Sequence, residues 1–183
     1  MDSPRIIHRQ IECRWEKLLQ AIDALPLPDE APIVNEACDM AFKTGMIFSP
    51  EFFRESFFPG YARLCKALHD KGKKVSFHSD GNLMAVMDDL VEAGIDLLHP
   101  VEPLAGMDPA ELHRRYPDLI LLGTIDVSQL LPNGAPQEIA DQVVRNIEAT
   151  EGRIMVGSST EVNNEVPLTN YLAMHQAITE YRY

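Results

Sequence analysis

Apolar residues at Ile7, Ile11, Trp15, Leu18, Leu19, Ile22 and Leu25 recur at helical spacing, and Pro26 and Pro28 end the pattern. This predicts a one-sided surface helix. The pattern then changes: Ile33 to Glu36 reads as a short strand, Phe42 to Pro50 as a loop, and Phe52 to Lys71 as a helix interrupted near Pro59-Gly60. Val75 to His78 predicts a second strand, followed by a helix whose buried face is Leu83, Val86, Met87, Leu90 and Val91 and which Gly94 ends. Ile95 to Leu98 is a third strand. Asp108-Pro109-Ala110-Glu111 reads as a helix start, with Asp108 as the cap and Pro109 suited to the first turn. Leu119 to Gly123 and Arg153 to Gly157 predict two further strands, on either side of a helix from Pro136 to Thr150 that buries Ile139, Val143 and Ile147. A closing helix runs from about Pro167 to Tyr181.

Five short apolar strands alternating with helices form a β/α series, and parallel strands of this kind need both faces covered. No Gly/Ser linker or repeat divides the chain, so residues 1–183 are expected to form one domain. Five strands are too few for a closed (β/α)8 barrel, which takes eight strands and typically about 250 residues. Two architectures remain: an open, doubly wound sheet, or part of a barrel. Open edges in the second would invite self-association.

Composition narrows the function class. With 16 Lys+Arg against 28 Asp+Glu, the formal charge is -12, and no basic block supplies phosphate contacts. Nucleic acid and anionic membranes are therefore not expected partners; a small-molecule substrate is. The three cysteines, Cys13, Cys38 and Cys65, are too few and too scattered for a disulfide framework, and no segment reads as a signal peptide or membrane span from Met1-Asp2-Ser3-Pro4 onward. A cytoplasmic setting is the expectation.

Polar residues collect where the strands end, the face on which parallel α/β folds bind ligands. Glu36 follows the first strand, His78 and Asp80 the second, His99 and Glu102 the third, Asp126 the fourth, and Ser158, Ser159 and Thr160 the fifth. His78 and Asp80 are two apart, so on extended chain an imidazole and a carboxylate enter one mouth, a pairing suited to Zn or proton transfer. The alternative is that Asp80 and Asn82 cap the next helix. Glu102, between Pro100 and Pro103, is a rigidly held carboxylate that can ligate metal, take a proton or sit in solvent. Asp126 orients substrate or caps a turn. Ser158 to Thr160 are candidates to cradle an anionic group, although the nucleotide fingerprints are absent.

Taken together, Ser49-Pro50-Glu51, His78-Ser79-Asp80-Gly81-Asn82, His99-Pro100-Val101-Glu102-Pro103, Gly123-Thr124-Ile125-Asp126 and Pro167-Leu168-Thr169-Asn170 resemble the uroporphyrinogen decarboxylase family over residues 30–182. That family includes corrinoid-dependent methyltransferases. The resemblance implies a partial (β/α)8 TIM barrel, strands four to eight with their helices, lacking the N-terminal strands. A homo-oligomer or a complementary barrel half is the implied partner. It also implies either carboxy-lyase activity on a tetrapyrrole or related small acid, or metal-dependent methyl transfer with a corrinoid partner. A noncatalytic assembly module is the remaining alternative. In the methyltransferase branch a His-x-Cys-Gly motif, with a further Cys near the last strand, holds Zn. Here His78 matches the His, Asp80 replaces the first Cys, Glu102 matches a further Glu, and Ser158 or Ser159 stands where the last Cys would be. The resemblance thus implies a metal set of His78, Asp80 and Glu102, with His78, Glu102 and Asp126 as acid/base candidates.

Overall fold

The computed structural model describes residues 4–24 and 26–182; Leu25, the last position of the first helical pattern, and the first three residues lie outside the described residues. Helix α1 (Pro4–Ala24) is followed by strand β1 (Ile33–Ala37) and a hairpin, β2 (Ala41–Phe42) with β3 (Gly45–Met46). Helices α2 (Pro50–Ser56) and α3 (Phe58–Asp70) lead to β4 (Lys74–His78), α4 (Met87–Ala93) and β5 (Leu97–Val101). Then come α5 (Pro109–Arg115), β6 (Ile120–Ile125), the one-turn α6 (Leu130–Asn133), α7 (Pro136–Ala149), β7 (Ile154–Ser158) and α8 (Leu168–Glu180).

Local chemistry explains most boundaries. Ser49 caps α2 by accepting from the Phe52 amide, and Asp108 caps α5 by accepting from the Glu111 amide at 2.8 Å. Gly94 ends α4 in the left-handed region at φ 105°. The expected break near Pro59-Gly60 lies instead at Phe57, because Pro59 falls in the first turn of α3, where its missing N–H costs nothing.

The five main strands pair in parallel in the order β1-β4-β5-β6-β7. A doubly wound sheet reverses direction somewhere in its strand order. This one never does, so each β/α unit is laid beside the previous one, as in a barrel wall. The architecture is α/β, a parallel sheet with surrounding helices in the arrangement of a partial (β/α)8 barrel.

Strand register assigns the two faces. Val34, Val75, Phe77, Leu98, Leu121 and Ile154 share the face packed on the helices in the main core, with Trp15, Tyr61 and Leu90. The opposite face carries Ile33, Asn35, Ala37, Ser76, His78, Leu97, His99, Leu122 and Met155. Its margins are open: Ile33 is 40% and Met155 51% exposed. A second, smaller core lies where α7 and α8 pack near Ile125. Among the described residues, no helix is long and apolar enough to cross a membrane.

Candidate functional site

Two loops at the C-terminal ends of β1 and β4 are stitched together. The Cys38 amide donates to the His78 carbonyl at 2.9 Å, the Met40 amide to Ser79 Oγ at 2.9 Å, and the Asp80 amide to Asp39 Oδ1 at 3.2 Å. Ser79 is fully buried, and its amide donates to the His99 carbonyl at 3.0 Å. The loop bearing Asp39 is thereby fixed against the one bearing His78 and Asp80.

Asp39, His78 and Asp80 each present one ligand atom within 4.8 Å of the others. A tetrahedral Zn site with bonds of ~2.1 Å has ligand atoms ~3.4 Å apart, so a modest closure brings these three donors onto one cation. The His78 Nε2 to Asp39 Oδ1 separation is 3.9 Å, too long for a hydrogen bond but suitable for two groups facing a common ion. Asp80 Oδ1 is shielded from solvent and has no hydrogen-bond partner. A buried carboxylate oxygen in that state is costly, and a cation relieves the cost. The residues therefore fit a divalent metal, with one nitrogen and two oxygen donors rather than thiolates. Cys38 lies close by, but burial pushes its thiol pKa up, Arg14 offsets this only in part, and Glu36 and Asp39 push it further.

The remaining site residues are arranged around this group. Glu102 Oε2 accepts from the Gly81 amide at 2.6 Å and so anchors the turn after Asp80 from the side of β5. It is not one of the three clustered donors. Asn82 Oδ1 accepts from the Met84 amide at 3.0 Å, closing a turn rather than capping the helix, since α4 starts only at Met87 with no side-chain cap, while Asp80 faces Asp39 and His78. His78 and His99, partners in register, join Nδ1 to Nδ1 at 2.7 Å, with ring centroids 5.0 Å apart. Burial and the neighbouring His78 lower the His99 pKa, against the opposing pull of Asp80 and Glu161. Glu161, on the loop after β7, is held below the usual carboxylate range by Thr160 and its own amide, with help from both imidazoles.

Asp126 lies apart. Its carboxylate accepts from the Ser128 hydroxyl at 2.8 Å and the Gln129 and Leu130 amides at 2.6 and 2.8 Å, capping α6. It lines a separate cavity of about 460 Å³ with Thr124, Gln142 and Leu104. The fifth-strand hydroxyls are turned to structural use: Ser159 accepts from the Val127 amide at 3.3 Å and is buried, and Thr160 donates to Glu161. Ser158 is half-buried at the end of β7.

The polar pattern along the chain points to Glu36 as the group at the end of β1 and passes over Asp39. Alternation is the signal that separates them. Glu36 has the parity of Val34, and its side chain pairs with Arg14 of α1 on the helix side of the sheet.

Comparison with known proteins agrees with the fold. A methyltransferase from Methanosarcina mazei has the same fold, with a TM-score of 0.67 and 16% sequence identity. The alignment covers 93% of this chain and 47% of that one, so the chain spans about half the length of that solved protein. No curated protein matches the sequence. Residues 34–181 match the uroporphyrinogen decarboxylase (URO-D) family. The match takes in the main sheet from the second residue of β1 onward and the turns that carry Asp39, His78, Asp80 and Glu102, and on that basis the chain belongs to the uroporphyrinogen decarboxylase family.

Proposed function

We propose that this chain carries the metal-binding part of a methyl-transfer site, working with a corrinoid partner on a small acceptor such as a thiol. The observation that carries the reading is the Asp39, His78 and Asp80 cluster with its partnerless buried oxygen. The likeness to a methyltransferase supports it. A divalent ion held by these three groups would lower the proton affinity of an acceptor placed against it, making a nucleophile at neutral pH.

The chain's own residues supply the rest. His78 provides the nitrogen donor from the end of β4, and Asp80 and Asp39 provide two anionic oxygens from adjoining loops. Glu102 steadies the turn that aims Asp80. Glu161, exposed beside the imidazole pair, adds a carboxylate that stays ionised and favours positive charge there. With no thiolate ligands, the oxygen-rich set favours Zn or a harder divalent ion and binds a substrate thiol less tightly than a sulfur-rich site. Ser158 at the mouth is a candidate contact for an acidic substrate. The open sheet face supports a working form completed by a second copy or a complementary barrel half, with this chain contributing one domain.

Decarboxylation of a tetrapyrrole is the second reading. It needs a positioned acid, and the capping bonds to Asp126 leave His78 as the better candidate. Metal analysis and turnover separate the two. The expected result is about one divalent ion per chain, lost in His78→Ala and Asp80→Ala, together with methyl transfer from a methylcorrinoid to a thiol. Metal-free protein that decarboxylates uroporphyrinogen would overturn the proposal.

A further inference from the structure

The imidazole of His99 is not among the clustered donors, yet it makes the only side-chain contact shorter than 3 Å to His78 among the described hydrogen bonds. A neutral imidazole carries one N–H and one lone pair. Two Nδ1 atoms 2.7 Å apart are hydrogen-bonded only if one bears the proton and the other does not. In one arrangement His78 Nδ1–H donates to His99, and the Nε2 lone pair of His78 faces Asp39 and Asp80. In the reverse arrangement His78 Nε2 carries the proton and meets Asp39 Oδ1 at 3.9 Å, beyond hydrogen-bond range. That proton would occupy the lone pair a cation needs. Each arrangement leaves one Nε2–H outside the pair, on His99 in the first and on His78 in the second, so only the first leaves the metal-facing nitrogen of His78 free.

We infer that His99 is a positioning residue, accepting the His78 Nδ1 proton and so holding His78 with its Nε2 lone pair toward the Asp39 and Asp80 carboxylates. This role rests on the metal reading proposed above. Backbone geometry holds His99 in place, since its carbonyl accepts from the buried Ser79 at 3.0 Å and register sets it directly beside His78 on the neighbouring strand. A partner that accepts the distal N–H of a metal-bound imidazole fixes its tautomer and raises its basicity, and losing such a partner typically costs about 10- to 100-fold in metal affinity.

Titration with Co²⁺ alone, followed by its visible absorption, tests the idea on the wild type and on His99→Leu, His99→Gln and His78→Ala. Leucine cannot accept the proton, whereas the glutamine carbonyl can. The expectation is a loss of about 10- to 100-fold for His99→Leu, recovery of most of that loss in His99→Gln, and abolished binding in His78→Ala. Long-range ¹H–¹⁵N correlation of the Zn-loaded wild type, which needs no variant to fold, is expected to find His78 protonated at Nδ1 and metal-bound at Nε2. Undiminished Co²⁺ affinity and spectrum in His99→Leu, or metal on His78 Nδ1, would overturn the role of His99 while leaving the metal site standing. A wild type that binds neither ion would remove both.

Discussion

Asp126 illustrates how one carboxylate's role is decided by the few residues after it. Burial by itself raises its pKa, but the Leu130 amide, the Ser128 hydroxyl and the Gln129 amide outweigh this and hold it below the usual carboxylate range. A folded pKa below the unfolded value means the stabilisation is fully present above the unfolded pKa, about 3.9, and is lost as pH falls through the lower folded value. Asp126→Ala is therefore expected to cost about 1 kcal/mol at pH 7. The gap to wild type should narrow only as the solution becomes acidic enough to protonate the cap. Urea unfolding across that range checks it, and a deficit that stays constant into acid would exclude a role for the ionised carboxylate. The sequence leaves cap and substrate contact equally open, because Val127-Ser128-Gln129 gives no sign of a helix as short as α6. Gly81 is easier to read. Its φ is 90°, and a Cβ there would lie 2.7 Å from the Ala41 carbonyl and Phe42 oxygen, so only glycine lets the hairpin lie against the Asp80 turn.

Among the elements, the long helices and the strands are legible because each buries one continuous apolar set at its own period. The exceptions are short. α4 begins only at Met87, with Leu83 and Val86 buried in the turn ahead of it, and the β2–β3 hairpin overlaps the loop expected from Phe42 to Pro50. Neither is long enough to show a period. The docking of α1 is visible as an apolar stripe, but not the means by which it is seated. Trp15 is fully buried against Phe57 and Tyr61, and it occupies the space beside Gly60 in α3: a Cβ at Gly60 would lie 2.0 Å from the indole. Alanine in a helix normally gains about 1 kcal/mol over glycine. Here the clash must displace a whole indole from the core, and overpacking costs about 1–3 kcal/mol before the lost burial is counted. Gly60→Ala is expected to lower Tm and shift the emission of the single tryptophan to the red. Unchanged emission with a raised Tm would mean that α1 is seated by other contacts.

At the scale of the whole molecule, the strand sequence and its covering disagree. β5 and β6 carry apolar residues on both faces, Leu97 and Leu98 in one and Leu121 and Leu122 in the other, the pattern of a sheet enclosed on each side, yet the packed helices cover the face of Phe77, Leu98 and Leu121. The opposite face keeps Leu97 buried at its centre, but leaves Ile33 and Met155 open at its margins. β1 and β7 each have one strand neighbour among the described residues, so backbone donors and acceptors stand unpaired along both outer edges. Period and composition along a chain cannot reveal this, since they record that a face is apolar but not what covers it. Open edges beside exposed apolar side chains such as Ile33 and Met155 favour association. The protein is expected to sediment as an oligomer whose mass falls on dilution. Met155→Asp, which places a charge on the open face while leaving the helix-packed core intact, is expected to shift the population toward monomer without lowering helix content. Wild type that stays monomeric at high concentration and binds no hydrophobic dye would mean that the sheet face is closed in solution.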